Sequence, residues 1–201
     1  MEDTQLESVL DGLAGPGFVT LPTAWPLGDV DALRREALEG WQDGSFHQAG
    51  VGRGGGQEIR SEVRRDLVRW LDPEAPSEAA SRWWQWLEAL RTELNRHLFL
   101  GLVEAEAHLA VYPAGAFYRR HLDRFRDDDA RTISCLLYLN DAWSAEDGGI
   151  LRLYAPEDGR AVDVLPAGGT IVLFRSDTVE HEVLAAGRPR VSLACWLRRR
   201  S

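Results

Sequence analysis

Apolar residues recur at helical spacing in the first half of the chain and at strand spacing in the second. Leu6, Val9, Leu10 and Leu13 share one stripe, which predicts a short helix over 4–13. Gly15-Pro16-Gly17 breaks it, and 18–21 reads as a strand. Val30, Leu33, Ala37 and Trp41 predict a second helix, with Asp29 as its N-cap. A third begins near Ser77, its stripe made by Trp83, Leu87, Leu90, Leu94 and Leu98. Trp84 and Trp86 flank that stripe and are expected to pack against a sheet. Past Gly101 the period falls to two. Expected strands run over 104–112, 116–123, 131–140, 150–154, 161–165, 170–174, 181–184 and 190–197, with Gly-, Pro- and Asp-rich turns between them. Helices followed by many short strands predict an α+β chain, mainly β: a sandwich or barrel with helices packed on one side. One domain is expected over 1–201, with helical and loop support in 1–102 and the β core in 103–198.

Composition narrows the class. A hydrophobic share of 44% and a charged share of 27% are those of a soluble globular protein. No apolar run approaches a membrane span and the start lacks a secretory signal, so a cytoplasmic protein with no membrane partner is expected. The net charge of −9 disfavours nucleic acid. Cys135 and Cys195 each lie in an apolar run, as buried free thiols do.

Gly50 to Gly56 reads as a flexible loop, either a bare connection or a mobile lid over a substrate. It lacks the following helix and the Lys-Ser/Thr pair of a phosphate-binding loop.

His121 and Asp123 stand two apart, and on a strand both would point to one face and reach one ion. His181 follows the polar turn Ser176-Asp177-Thr178 and suits a third ligand from a separate strand. His47, His97 and His108 read as structural or solvated. Two histidines and a carboxylate leave open positions, as in non-haem Fe(II) oxygenases; a structural zinc site would be closed by four ligands. Arg190 shares a strand face with Ser192, Ala194 and Trp196, while Val191, Leu193, Cys195 and Leu197 take the other. A planar cation facing inward wants a carboxylate, and the Tyr138 hydroxyl is placed to join it. Arg190 could instead be a surface residue of a hairpin.

These residues resemble the 2-oxoglutarate- and Fe(II)-dependent oxygenases, above all the prolyl 4-hydroxylase-domain enzymes of the oxygen-sensing type and their bacterial homologues. The passages that carry the resemblance are Tyr112-Pro113, Tyr118-Arg119-Arg120-His121-Leu122-Asp123, and Arg131 to Asn140. Trp143, Gly148-Gly149-Ile150-Leu151-Arg152, His181-Glu182-Val183, Arg190 and Trp196 complete them. A looser likeness extends to Ile59-Arg60, Arg64-Arg65-Asp66 and Trp70-Leu71. Arg65 stands where the family often has Gly, and the Gly-rich run is this chain's own.

The resemblance implies a double-stranded β-helix (jelly roll, cupin-like) with N-terminal helices against one sheet. It implies Fe(II) held by His121, Asp123 and His181, which are then the catalytic residues. Arg190 and Tyr138 would hold the distal carboxylate of 2-oxoglutarate, with Tyr112 beside it. Arg131, Asp66 and Trp196 would serve substrate binding or loop closure. Dioxygen is the second cosubstrate and ascorbate an accompanying reductant. The implied reaction hydroxylates a prolyl residue of a protein or peptide, with elongation factor Tu as the candidate partner and a monomer as the expected state. The rivals are an oxygenase acting on a small molecule or another residue, a non-catalytic jelly-roll module, and a cupin-like isomerase.

Overall fold

Among the described residues the α-helices and strands follow in chain order: α1 (Asp3–Ala14), β1 (Phe18–Leu21), α2 (Leu27–Gln42), β2 (His47–Gln48), β3 (Leu67–Trp70), α3 (Glu78–Leu98), β4 (Leu102–Tyr112), β5 (Tyr118–His121), β6 (Arg131–Tyr138), β7 (Leu151–Tyr154), β8 (Ala161–Val164), β9 (Ile171–Arg175), β10 (Glu180–Val183) and β11 (Arg190–Arg199). The computed structural model describes residues 3–50, 58–124 and 130–200. The Gly-rich run beyond Gly50, with Arg53, and the expected turn at 127–129 lie outside them.

Antiparallel pairing builds a major sheet in the order β1-β9-β6-β11-β4-β3-β2 and a minor sheet in the order β5-β10-β7-β8. Alternation along β11 decides what each face of the major sheet meets. Val191, Leu193, Cys195 and Leu197 enter one core with the helices, whose stripe of Trp83, Leu87, Leu90 and Leu94 is fully buried there. Each of those leucines contributes roughly 1.5–3 kcal/mol by leaving water. The opposite face meets the minor sheet in a second core, where Ala110, Tyr112, Tyr138 and Phe174 pack with Leu151, Leu153, Val164 and Val183.

Helix ends explain the placement of α3. The Ser77 hydroxyl accepts the Ala80 amide at 3.2 Å, satisfying an N–H that has no partner within the helix. At the other end Asn95 closes a pair of bonds with Leu102: its side-chain amide donates to the carbonyl at 2.8 Å and its oxygen accepts the amide at 2.7 Å. The helix is thereby fixed to the first residue of β4.

Three expectations need correcting. Asp29 does not cap α2; Pro26 does, its fixed φ of −57° starting the helix three residues earlier. Asp29 instead grips Arg82 of α3 with both carboxylate oxygens. The N-terminal part is more than helical and loop support, because β1, β2 and β3 join the major sheet. Of these, β2 and β3 were not expected: two and four residues are too few to show alternation. The strand expected over 116–123 is only four residues long, so Asp123 lies beyond its end.

Candidate active site

Two histidines reach one point because β5 and β10 are neighbours with His121 and His181 in direct register. Strand parity does not bring Asp123 to them. The chain bends after His121, and the Arg124 amide donates to the Ser176 carbonyl at 3.0 Å, turning Asp123 inward. The ligand atoms of the three residues all lie within 4.8 Å of one another. Asp123 Oδ1 is 3.5 Å from His121 Nε2 and 3.7 Å from His181 Nε2.

Backbone and side-chain partners orient all three groups. His121 Nδ1 lies 2.6 Å from the Arg119 carbonyl and His181 Nδ1 lies 3.4 Å from that of Val179. A carbonyl can only accept, so the proton sits on Nδ1 and the Nε2 lone pair points at the common centre. The Ser134 hydroxyl donates to Asp123 Oδ2 at 2.6 Å and is itself 2.9 Å from the Ser176 hydroxyl. Phe174 closes one side of His181, with ring centroids 4.5 Å apart. Burial, with His121 close by, lowers His181 to about 4 against the opposing pull of Asp123. Burial by itself would raise the Asp123 carboxyl; the attraction of His181 and His121, with Arg131 behind them, holds it well below the usual range. Asp123 is thus held as a carboxylate beside two histidine rings, and deprotonated donors of this kind are what a divalent metal requires. No fourth His, Cys, Asp or Glu joins the cluster among the described residues, and His121 Nε2 is buried without a hydrogen-bond partner. That donor set fits Fe(II) with open positions rather than a closed structural ion.

The second feature is an unpaired cation. Arg190 is 1% exposed, and no carboxylate among the described residues pairs with it. Its Nε donates to the Gly149 carbonyl at 2.9 Å and its Nη1 to Ser192 Oγ at 3.5 Å. Tyr112 and Tyr138 flank it, with its guanidinium 4.9 and 5.0 Å from their ring centres. The Tyr138 hydroxyl is buried with no partner of good geometry, and burial raises it to about 12 although Arg190 opposes this. Burial raises Tyr112 as well. A permanent charge out of water without a counter-ion is costly, so this pocket is built for an anion. Gly149 matters twice: its φ is +64°, and a Cβ there would come within 3.0 Å of Arg190 Cδ.

The remaining expected residues are distributed around this centre. Asp66 is fully buried and held by both ends of the Arg64 guanidinium, at 2.8 and 2.5 Å, so its carboxylate is spoken for within the protein. Arg131 donates to Glu106 at 2.7 Å and lies over the Trp196 ring at 3.7 Å. His47 and His97 are exposed, His97 beside Glu93. His108, expected to be structural or solvated, lies 95% out of water on the face that carries Tyr112 and Ala110. Ser134, Ser176, Tyr118 and His108 were not singled out as site residues; only the even-numbered inward face of β4 and β6 hinted at two of them.

Residues 107–198 match the model of the 2OG-Fe(II) oxygenase superfamily. The chain is 29% identical to human Egl nine homolog 1 over 141 residues, which covers 67% of this chain and 33% of that protein. It therefore spans about a third of that relative's length. The crystal structure of a Pseudomonas putida prolyl-4-hydroxylase superimposes with a TM-score of 0.88 at 43% identity, covering 98% of this chain and 100% of that one. A Trichoplax adhaerens prolyl hydroxylase, solved with a hypoxia inducible factor oxygen degradation domain peptide fragment, gives 0.86 at 26% identity, covering 97% and 89%.

Proposed function

The chain belongs to the 2-oxoglutarate- and Fe(II)-dependent oxygenases, and from that premise we propose that it hydroxylates a prolyl residue in a polypeptide. One juxtaposition carries the reading: Tyr112 and Tyr138, which flank the buried Arg190, share the core between the sheets with Phe174, which packs against His181 of the three-donor cluster. The solved prolyl hydroxylases that superimpose on the whole chain support the prolyl substrate.

In this reading His121, Asp123 and His181 hold Fe(II), and Arg190 with the Tyr138 hydroxyl takes the distal carboxylate of 2-oxoglutarate. Bound Fe(II) would supply the oxidative chemistry, in which dioxygen, 2-oxoglutarate and the prolyl residue are converted to succinate, carbon dioxide and the hydroxyprolyl residue. The protein supplies orientation. Arg190 presents a fixed fork to a carboxylate, and Gly149 and Ser192 keep that fork from turning. Ser134 keeps one Asp123 oxygen occupied, so the carboxylate offers the centre a single oxygen. Leu151, Leu153, Val183 and Phe174 keep water away from the site. Elongation factor Tu is the protein substrate we put forward, with ascorbate as reductant, a monomeric state and a cytoplasmic location. No helix among the described residues is long and apolar enough to cross a membrane.

The test is succinate formation by Fe(II)-loaded protein with 2-oxoglutarate, with and without proline-containing peptides and elongation factor Tu. His121→Ala should abolish turnover, and Arg190→Ala should mainly raise the 2-oxoglutarate requirement. Full activity in His181→Ala would overturn the ligand assignment.

A further inference from the structure

Next to the His121, Asp123 and His181 cluster lies an aromatic slot whose polar atoms find no hydrogen-bond partner among the described residues. His108 is 5% exposed, and its ring meets Trp70 and Trp196 edge to face at 4.9 and 5.1 Å. Trp70 is 47% exposed, so the slot reaches the surface. His108 Nδ1 and Trp196 Nε1 are both buried without partners, and no hydrogen bond from a described residue reaches either nitrogen of the His108 ring. Two such orphans side by side are unusual in a native interior, where nearly all buried polar atoms are satisfied. The slot adjoins the centre directly, because Trp196 is the register partner of Ser134, whose hydroxyl holds Asp123.

We propose that His108 is a specificity-determining residue that donates a hydrogen bond to a backbone carbonyl of the bound polypeptide beside the target proline. The inference rests on the prolyl reading above. An N–H sealed away without a partner is the costlier orphan, so Nδ1 carries the lone pair and Nε2 the proton. The ring is therefore a donor at Nε2. A prolyl residue has no backbone N–H, so its carbonyl is the polar group it offers, and a donor is what can recognise it. The indoles of Trp70 and Trp196 offer apolar faces suited to a pyrrolidine ring.

The experiment separates this inference from the one it rests on. Protein loaded with Mn(II) and 2-oxoglutarate, which binds without turnover, is titrated by tryptophan fluorescence with blocked pentapeptides carrying a central proline. The same peptides are assayed for succinate with Fe(II). His108→Leu should raise the peptide Kd and KM about tenfold, the loss of one neutral hydrogen bond. Its kcat, its KM for 2-oxoglutarate and its peptide-independent decarboxylation should be unchanged. His108→Gln, which keeps a donor near Nε2, should stay within about threefold of the parent; His108→Asn, which places its amide near Nδ1, should resemble His108→Leu. If no proline peptide binds or stimulates the parent, the prolyl reading falls and this inference with it. If the parent responds and His108→Leu matches it, only the role of His108 falls. Equal losses in the Leu and Gln variants, with lowered thermal stability in both, would also overturn it, since they would mark His108 as structural.

Discussion

Tyr118 lies face to face on His121, with ring centroids 3.5 Å apart and planes within 15°. The Arg64 guanidinium sits 4.2 Å from the centre of the same tyrosine ring, and Asp66 grips that guanidinium. A column of four side chains thus runs from the segment before β3 to His121, a proposed metal ligand. Tyr118→Ala removes its middle and frees the imidazole to tilt. We expect metal affinity to fall about tenfold, at the lower end of what outer-shell changes cost. Competition between Co(II)-loaded protein and a chelator measures this. Tyr118→Phe should be near the parent, because the stack does not use the hydroxyl.

Ser134 is the support of Asp123 rather than a ligand. Ser134→Ala leaves a buried carboxylate oxygen without its donor, which costs roughly 1–3 kcal/mol of metal-free stability. Metal affinity should fall by about 10- to 100-fold. Urea denaturation and the same chelator titration read the two effects separately, and an unchanged affinity would show that Ser176 and the backbone suffice.

Arg190 makes the opposite kind of prediction, because the protein without cosubstrate bears its charge alone. Arg190→Met should leave melting temperature unchanged or raised, as replacements of buried charges by apolar groups often do. The stabilisation by 2-oxoglutarate should vanish; for the parent it should be about 2.7 kcal/mol at a hundred times Kd. Thermal melts with and without 2-oxoglutarate decide it.

His108 gives a pH signature. Burial, with Arg64 and Arg131 nearby and Asp123 only partly opposing them, puts the folded ring well below its ordinary value. The unfolded ring takes up a proton near pH 6.5 and the folded ring does not, so stability falls as pH drops below that point. The slope from this one group approaches about 1.4 kcal/mol per pH unit. Urea denaturation of metal-free protein between pH 7 and 5 should show His108→Gln losing less than the parent over the same range.

How much of this was legible beforehand depended on what each residue answers to. His121, Asp123 and His181 come together, and Tyr138 lies beside Arg190, as expected from residues whose chemistry is unusual in strands. Asp123 was found for a reason that the structure replaces: the bend after His121, held by the Ser176 carbonyl, turns it inward, not strand parity. Ser134 and Ser176 were not read as supports, because two hydroxyls 42 positions apart gain meaning only when β6 and β9 pair. His108 looked ordinary because a lone histidine among apolar residues usually is. Its neighbours Trp70 and Trp196 reach it through the pairing of β3 and β11 with β4, which no local pattern encodes. The short β2 and β3 escaped for want of length.

His121 and His181, the ligands proposed for Fe(II), belong to the minor sheet, while Arg190, Tyr138 and Tyr112 belong to the major one. The molecule therefore works as a pair of calipers whose jaws are its two sheets. In the proposed reading, the length of diacid accepted depends on the aliphatic side chains packed between the jaws, Leu153 and Val164 among them, which bear neither charge nor hydroxyl. A change of one methylene there would retune cosubstrate choice without touching a single binding group.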